Sequence, residues 1–199
     1  MSAREQRQPV AWWGLVSSAA APVFLIGGWT VAAARQQGGF DPVVETISAL
    51  AAYGADDRWV MTTALAGLGL CHLTTALALR DAAPVGRAIL AGGGAATVLV
   101  AVFPLRADES GSVAHTVVAG SAFLALAVWP AAAWRTGAPL PLRPVASVTV
   151  AAVLVGLVGW FGAELSADSG RVGLAERVAA GAQSLWPLAA AWGSRRWSR

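Results

Sequence analysis

Residues 10–34 read VAWWGLVSSAAAPVFLIGGWTVAAA, with no charged side chain among them. A helix rises about 1.5 Å per residue and a bilayer's hydrocarbon core is about 30 Å thick, so about 20 such residues cross it. No water is present there to satisfy backbone N–H and C=O groups, so a crossing segment of this kind is helical. The stretch follows Arg4 and Arg7 and contains Ala19, Ala20 and Ala21, features that imitate a cleavable secretory leader. It continues to Ala34, longer than a leader's apolar part, and reads as a retained first helix.

The same pattern recurs along the chain. Trp59–Leu79, Ala88–Pro104, Val113–Trp134, Pro144–Ala163 and Leu174–Trp192 are apolar stretches of spanning length, the third only barely. Most of the loops between them are short, which makes consecutive helices antiparallel neighbours. The expected fold is therefore all-α: a six-helix integral membrane bundle forming one domain over residues 1–199. The composition agrees, with 56% hydrophobic and 13% charged residues in 199 and a mean hydropathy of +0.59. Soluble domains carry about 25% charged residues. Gly67, Gly69, Gly92–Gly94, Gly156 and Gly159 are small residues of the kind that let helices approach in lipid. The Gly92–Gly94 triplet also suggests a kink or a place where a ligand meets backbone.

Charge sets the orientation. With the N-terminus inside, the cytoplasmic segments carry Arg4, Arg7, Arg80, Arg87, Arg135, Arg143, Arg195, Arg196 and Arg199 against Glu5 and Asp81. The outer segments carry Asp41, Glu45, Asp56, Asp57, Asp108, Glu109, Glu164, Asp168 and Glu176. Cationic loops stay inside during insertion, so a multi-pass protein of the cell membrane with both termini cytoplasmic is expected. The Arg residues are spread singly over short loops, a pattern suited to anionic lipid headgroups and not to nucleic acid. Cys71 is the single cysteine, which excludes an internal disulfide or a cysteine metal cluster. His72 and His115 lie too far apart in depth to share an ion, and no HExxH-type spacing is present, so neither a metal nor another cofactor is expected.

One loop is long, Arg35 to Arg58. Asp41-Pro42 reads as an N-cap followed by proline in the first helical position, and Gly54 as a stop. An amphipathic helix over about 42–53 is expected to lie on the outer interface. Its apolar face would hold Val43, Val44, Ile47, Leu50 and Ala51, with Glu45 and Ser48 opposite.

Candidate chemistry collects at the outer end. Glu45, His115, Glu164 and Glu176 are the catalytic candidates, since an ionisable residue at membrane depth is a functional hypothesis by default. Gln183 falls seven residues after Glu176, on the same helix face, and Trp160 lies four before Glu164. Trp12, Trp13, Trp59, Trp134, Trp192 and Trp197 fall at span ends, as interfacial belts do. Trp29, Trp129, Trp160 and Trp186 fall inside spans. With Trp59, Ser48 and Gln183 they are the candidate substrate contacts. An indole face attracts a cation. A carboxyl group enclosed with such rings stays neutral and can protonate an alkene. The alternative is plain: the tryptophans pack the bundle and the acids cap or pair with Arg58, Arg171 and Arg177.

Several strings look familiar: DPVVETISAL at 41–50, Asp57-Arg58-Trp59-Val60-Met61, Phe103-Pro104, His115, Trp129-Pro130 and Gly173-Leu174-Ala175-Glu176-Arg177. Together they resemble the actinobacterial membrane proteins grouped as domain of unknown function 998. That resemblance implies a six-helix membrane protein and transfers no reaction. The chain is also similar in size and character to small bacterial membrane-bound terpene cyclases. The expected function is a cyclase or isomerase acting on an isoprenoid, in which a carboxylic acid protonates an alkene and tryptophan rings stabilise the cations. A non-catalytic lipid-binding or accessory protein is the alternative, and a small transporter ranks behind it because midplane charges are missing.

Overall fold

Apolar side chains in long uncharged runs leave the backbone no partner but itself, and the chain answers with helices. The computed structural model describes residues 10–107, 112–167 and 169–197. Arg4, Glu5, Arg7, Asp108, Glu109, Asp168 and Arg199, used above for orientation, lie outside them. The described residues form six long helices and no strand: α1 (Trp12–Ala33), α2 (Trp59–Ala78), α3 (Pro84–Val102), α4 (Val113–Ala133), α5 (Pro144–Ala167) and α6 (Val172–Trp197). Each covers the matching apolar stretch of the sequence.

By length and composition, α1 to α5 suffice to cross a membrane, as a multi-pass membrane protein requires. α6 is the longest at 26 residues but is not among those five. Glu176, Arg177 and Gln183 dilute its apolar character.

Each helix packs on its neighbours in the chain, and α1 meets α6 to close a ring. Close approach depends on missing side chains. A Cβ on Gly69 of α2 would stand 2.5 Å from the Gly94 carbonyl of α3, and one on Gly94 only 2.7 Å from the Gly69 carbonyl. α3 runs as one helix through Gly92–Gly94, where Gly93 and Gly94 meet neighbouring helices and Gly92 faces open space. In α1, Pro22 withdraws a backbone donor, and the next turn widens into a π-turn at Val23–Gly27.

The core forms two clusters. One gathers Leu79, Leu90, Trp129, Leu142 and Ala190 at the end holding the α2–α3 loop. The other gathers Leu25, Met61, Leu65 and Val100 at the opposite end, and Ile47 and Leu50 of the long loop join it.

That loop departs from expectation. No continuous helix covers 42–53. The chain makes turns and then one short 3-10 segment, Ala49–Ala51. Asp41 does cap: its Oδ1 accepts the Val43 N–H at 2.8 Å, and the Glu45 carboxylate accepts the Asp41 N–H at 2.7 Å. Beyond that first turn, α6 claims the backbone groups a helix would have paired internally. Leu174 N–H donates to the Val43 carbonyl at 3.0 Å, and Ile47 N–H donates to the Glu176 carboxylate. Ile47, Leu50 and Ala51 are buried as a plug in the end of the ring, while Val43 and Val44 remain exposed. The loop's ends are stapled by Gln36 with Asp56, through bonds of 2.9 and 3.1 Å, and by Arg35 with Asp57 at 3.2 Å.

Candidate functional site

The first turns of α6 build the site. Gly173, Glu176 and Arg177 are spaced three and four apart, so they share one helix face, and that face meets residues 42–47. A Cβ on Gly173 would stand 2.2 Å from the Glu45 carbonyl oxygen and 2.8 Å from that of Pro42, so only glycine permits this approach. Arg177 then closes the clamp. Its Nη1 donates to the carbonyls of Pro42 at 2.9 Å, Glu45 at 2.7 Å and Gly173 at 3.0 Å. Its guanidinium also lies 5.9 Å from the Trp29 ring centre and 5.3 Å from that of Phe40. Glu176 is 3% exposed, and Ser48 stands beside its carboxylate.

Next to the clamp opens a groove of about 650 Å³. Its walls are α4, through His115, Gly120 and Phe123, and α5, through Val158, Phe161, Gly162 and Leu165. Val44, Glu45, Thr46 and Ser48 of the loop, Leu105, and Val172 and Glu176 of α6 complete it. The groove is partly open, and its lining is mainly apolar. Its width follows from sequence, because Gly120 and Gly162 face open space where larger residues would put side chains. Phe123 and Phe161 form a tilted pair across it, with ring centres 5.1 Å apart.

A smaller cavity of about 60 Å³ lies within the ring, lined by His72, Thr97, Gln183, Leu25, Leu65 and Leu126 among others. Ser48, Phe123 and Glu176 line both spaces, so Glu176 sits where they adjoin. Gln183 is fixed there by Nε2 donating to the Phe123 carbonyl at 2.8 Å. His72 is 1% exposed, and neither ring nitrogen has a hydrogen-bond partner among the described residues.

His115 opens α4, where its N–H donates to the Ser112 hydroxyl that caps the helix. Its Nδ1 lies 2.8 Å from the Phe103 carbonyl. A carbonyl only accepts, so Nδ1 carries the proton, and Nε2 of the neutral ring is left as an acceptor. No partner for Nε2 is seen among the described residues, and the side chain forms part of the groove wall.

The expected site is thus only partly assembled. Glu45, His115, Glu176 and Ser48 meet on the groove, and Gln183 faces the cavity beneath it. Glu164 is elsewhere. It is buried, accepts Trp160 Nε1 at 2.8 Å and the Ser169 hydroxyl, and pairs with Arg171 at 3.3 Å across the α5–α6 turn. None of the five candidate tryptophans lines either space. Trp160 is held by Glu164, and Trp29 already faces the Arg177 guanidinium. Trp59 is exposed and donates to Asp57 at 3.2 Å. Trp129 is fully buried in the other core cluster, and Trp186 packs against that cluster. Among the described residues no three of His, Cys, Asp and Glu gather as metal ligands.

Sequence reasoning passed over Phe123, Phe161, Gly120 and Gly162, and it gave Arg177 only as an ion-pair partner and Gly173 only as part of a familiar string. The spacing of Gly173, Glu176 and Arg177 was the one available signal for the clamp.

A family model described as "Protein of unknown function (DUF998)" matches residues 18–193. No curated protein and no solved structure matches the chain.

Proposed function

The chain belongs to the DUF998 family, and from the groove we propose that this member binds the apolar chain of a membrane amphiphile between α4 and α5. One observation carries the reading: an apolar-lined space of about 650 Å³, with Glu176, His115 and Ser48 at its polar end. Ligand sites are typically concave spaces of about 300–1,000 Å³, mostly apolar, with a few convergent polar groups that fix orientation. The clamp at residues 42–47 forms one wall, so binding there is coupled to how firmly the loop is docked. The test is native mass spectrometry of the protein released from its own membranes. Wild type should retain a lipid-sized adduct. Gly120→Phe and Gly162→Phe, at positions where an added Cβ meets nothing within 4 Å, should lose it while keeping their thermal stability. Equal retention by all three proteins would refute the reading.

The topology belongs to the same proposal. All six helices cross the cell membrane, α6 included, with both termini cytoplasmic and the groove at the outer end. The support is the Arg-rich composition of the loops assigned to the inside. In a Cys71→Ser background, cysteine at Ala55 should react with an impermeant maleimide on intact cells, and cysteine at Gly137 should not.

A second reading, an acid-initiated isoprenoid cyclase or isomerase, is favoured by the Phe123–Phe161 pair and by His115, whose Nε2 has no partner seen among the described residues, on the same groove. Glu176 in its neutral form would give its proton to a terminal alkene carbon, leaving a tertiary cation. Internal alkene attack would close a ring over the phenylalanine faces. His115 Nε2 would take the last proton, giving net isomerisation. Turnover of a prenylated substrate by wild type, lost in both Glu176→Gln and His115→Phe, is the required result.

A further inference from the structure

Resting on the reading that the groove takes an apolar chain, we infer that the head of this ligand is a hydrogen-bond donor without phosphate, a long-chain alcohol or amine. The polar end of the groove holds carboxyl, imidazole and hydroxyl groups and no cationic side chain. Glu45 and Glu176 present carboxylate oxygens, His115 presents Nε2, and Thr46, Ser48 and Thr116 present hydroxyls. A carboxylate accepts only, and a hydroxyl does both.

No Arg stands among the lining residues, and the chain has no Lys. The neighbouring cations are committed elsewhere. Arg177 holds three backbone carbonyls, and Arg171 pairs with Glu164. Arg58 donates to the Ala51 carbonyl at 3.1 Å, and Arg35 pairs with Asp57. Arg106, exposed beside Leu105, is not part of the wall.

A phosphate brought into this space would meet the Glu45 carboxylate, and that of Glu176 when ionised, with water partly excluded and no cation on the wall to offset the repulsion. A hydroxyl or ammonium head donates to the same oxygens. The chemistry therefore excludes prenyl diphosphates and phospholipid headgroups from the polar end and admits alcohols and amines of similar chain length.

The experiment incubates delipidated protein with equal amounts of hexadecanol, hexadecylamine and hexadecyl phosphate and reads adducts by native mass spectrometry. Alcohol or amine adducts should exceed phosphate adducts by about tenfold or more, and Gly120→Phe should remove them. Thr116→Arg, at an exposed position on the rim, should shift occupancy toward the phosphate. A phosphate adduct equal to or above the other two, still removed by Gly120→Phe, overturns the head-group assignment and leaves chain binding standing. Adducts that Gly120→Phe does not change overturn both.

Discussion

The Glu176 carboxylate on α6 accepts the backbone N–H of Ile47, 129 residues earlier in the chain. This bond ties the plug of the ring to the helix that closes it, and it places a buried acid on the wall of the groove. Removing the acceptor leaves a buried donor unpaired, at a cost of about 1–3 kcal/mol. Glu176→Leu should therefore lower the melting temperature in mild detergent clearly. Glu176→Gln keeps an oxygen for Ile47 and should lose less. Equal losses from the two would mean that the bond contributes little.

Gly173 approaches the loop backbone more closely than any Cβ allows. Gly173→Ala must push residues 42–45 away, an overpacking cost of about 1–3 kcal/mol. Limited proteolysis should then cut within residues 42–53 faster than in wild type. Gly156→Ala, at a position facing open space, should leave the cleavage rate unchanged.

Glu164 acts as a fastener of the α5–α6 turn. Glu164→Gln keeps an oxygen for the Trp160 N–H and should cost little, whereas Glu164→Leu removes it and should cost about 1–3 kcal/mol. The half of the interaction that reaches Arg171, itself largely exposed, should contribute little. Lipid adducts should persist in both variants, which separates them from the groove substitutions.

His72 keeps two ring nitrogens buried without a partner among the described residues. Replacing an unpaired polar group by an apolar one of similar size is close to neutral or stabilising. His72→Leu should hold or raise the melting temperature. A marked fall would show that the imidazole is bonded to water in the small cavity.

The first five helices were legible because each is a long uncharged run bounded by Arg, Pro or acid, and a bilayer allows such a run only one backbone conformation. The sixth was legible by its length despite Glu176 and Arg177. The loop was not legible. Asp41-Pro42 does start a turn, but whether that turn becomes a helix depends on Gly173, Glu176 and Arg177, which take over its N–H and C=O groups from the far end of the sequence. The candidate site divides in the same way. Glu45, His115 and Glu176 were identified by depth, and they do meet on one groove. Trp29 and Trp160 lie at the expected height but turn toward Arg177 and Glu164. That rotation is decided by packing between helices, which the periodicity of one helix does not reveal. The groove itself arises from absent side chains at Gly120 and Gly162, and these read in sequence like ordinary small residues of a membrane helix.

The most direct measurement is a crystal structure grown from a lipidic phase and refined without imposed ligand. Continuous non-protein density should run from Glu176 and His115 over the Phe123–Phe161 pair and on along α5. Helices α4 and α5 closed against each other with no space between them, or a groove holding only water, would contradict chain binding.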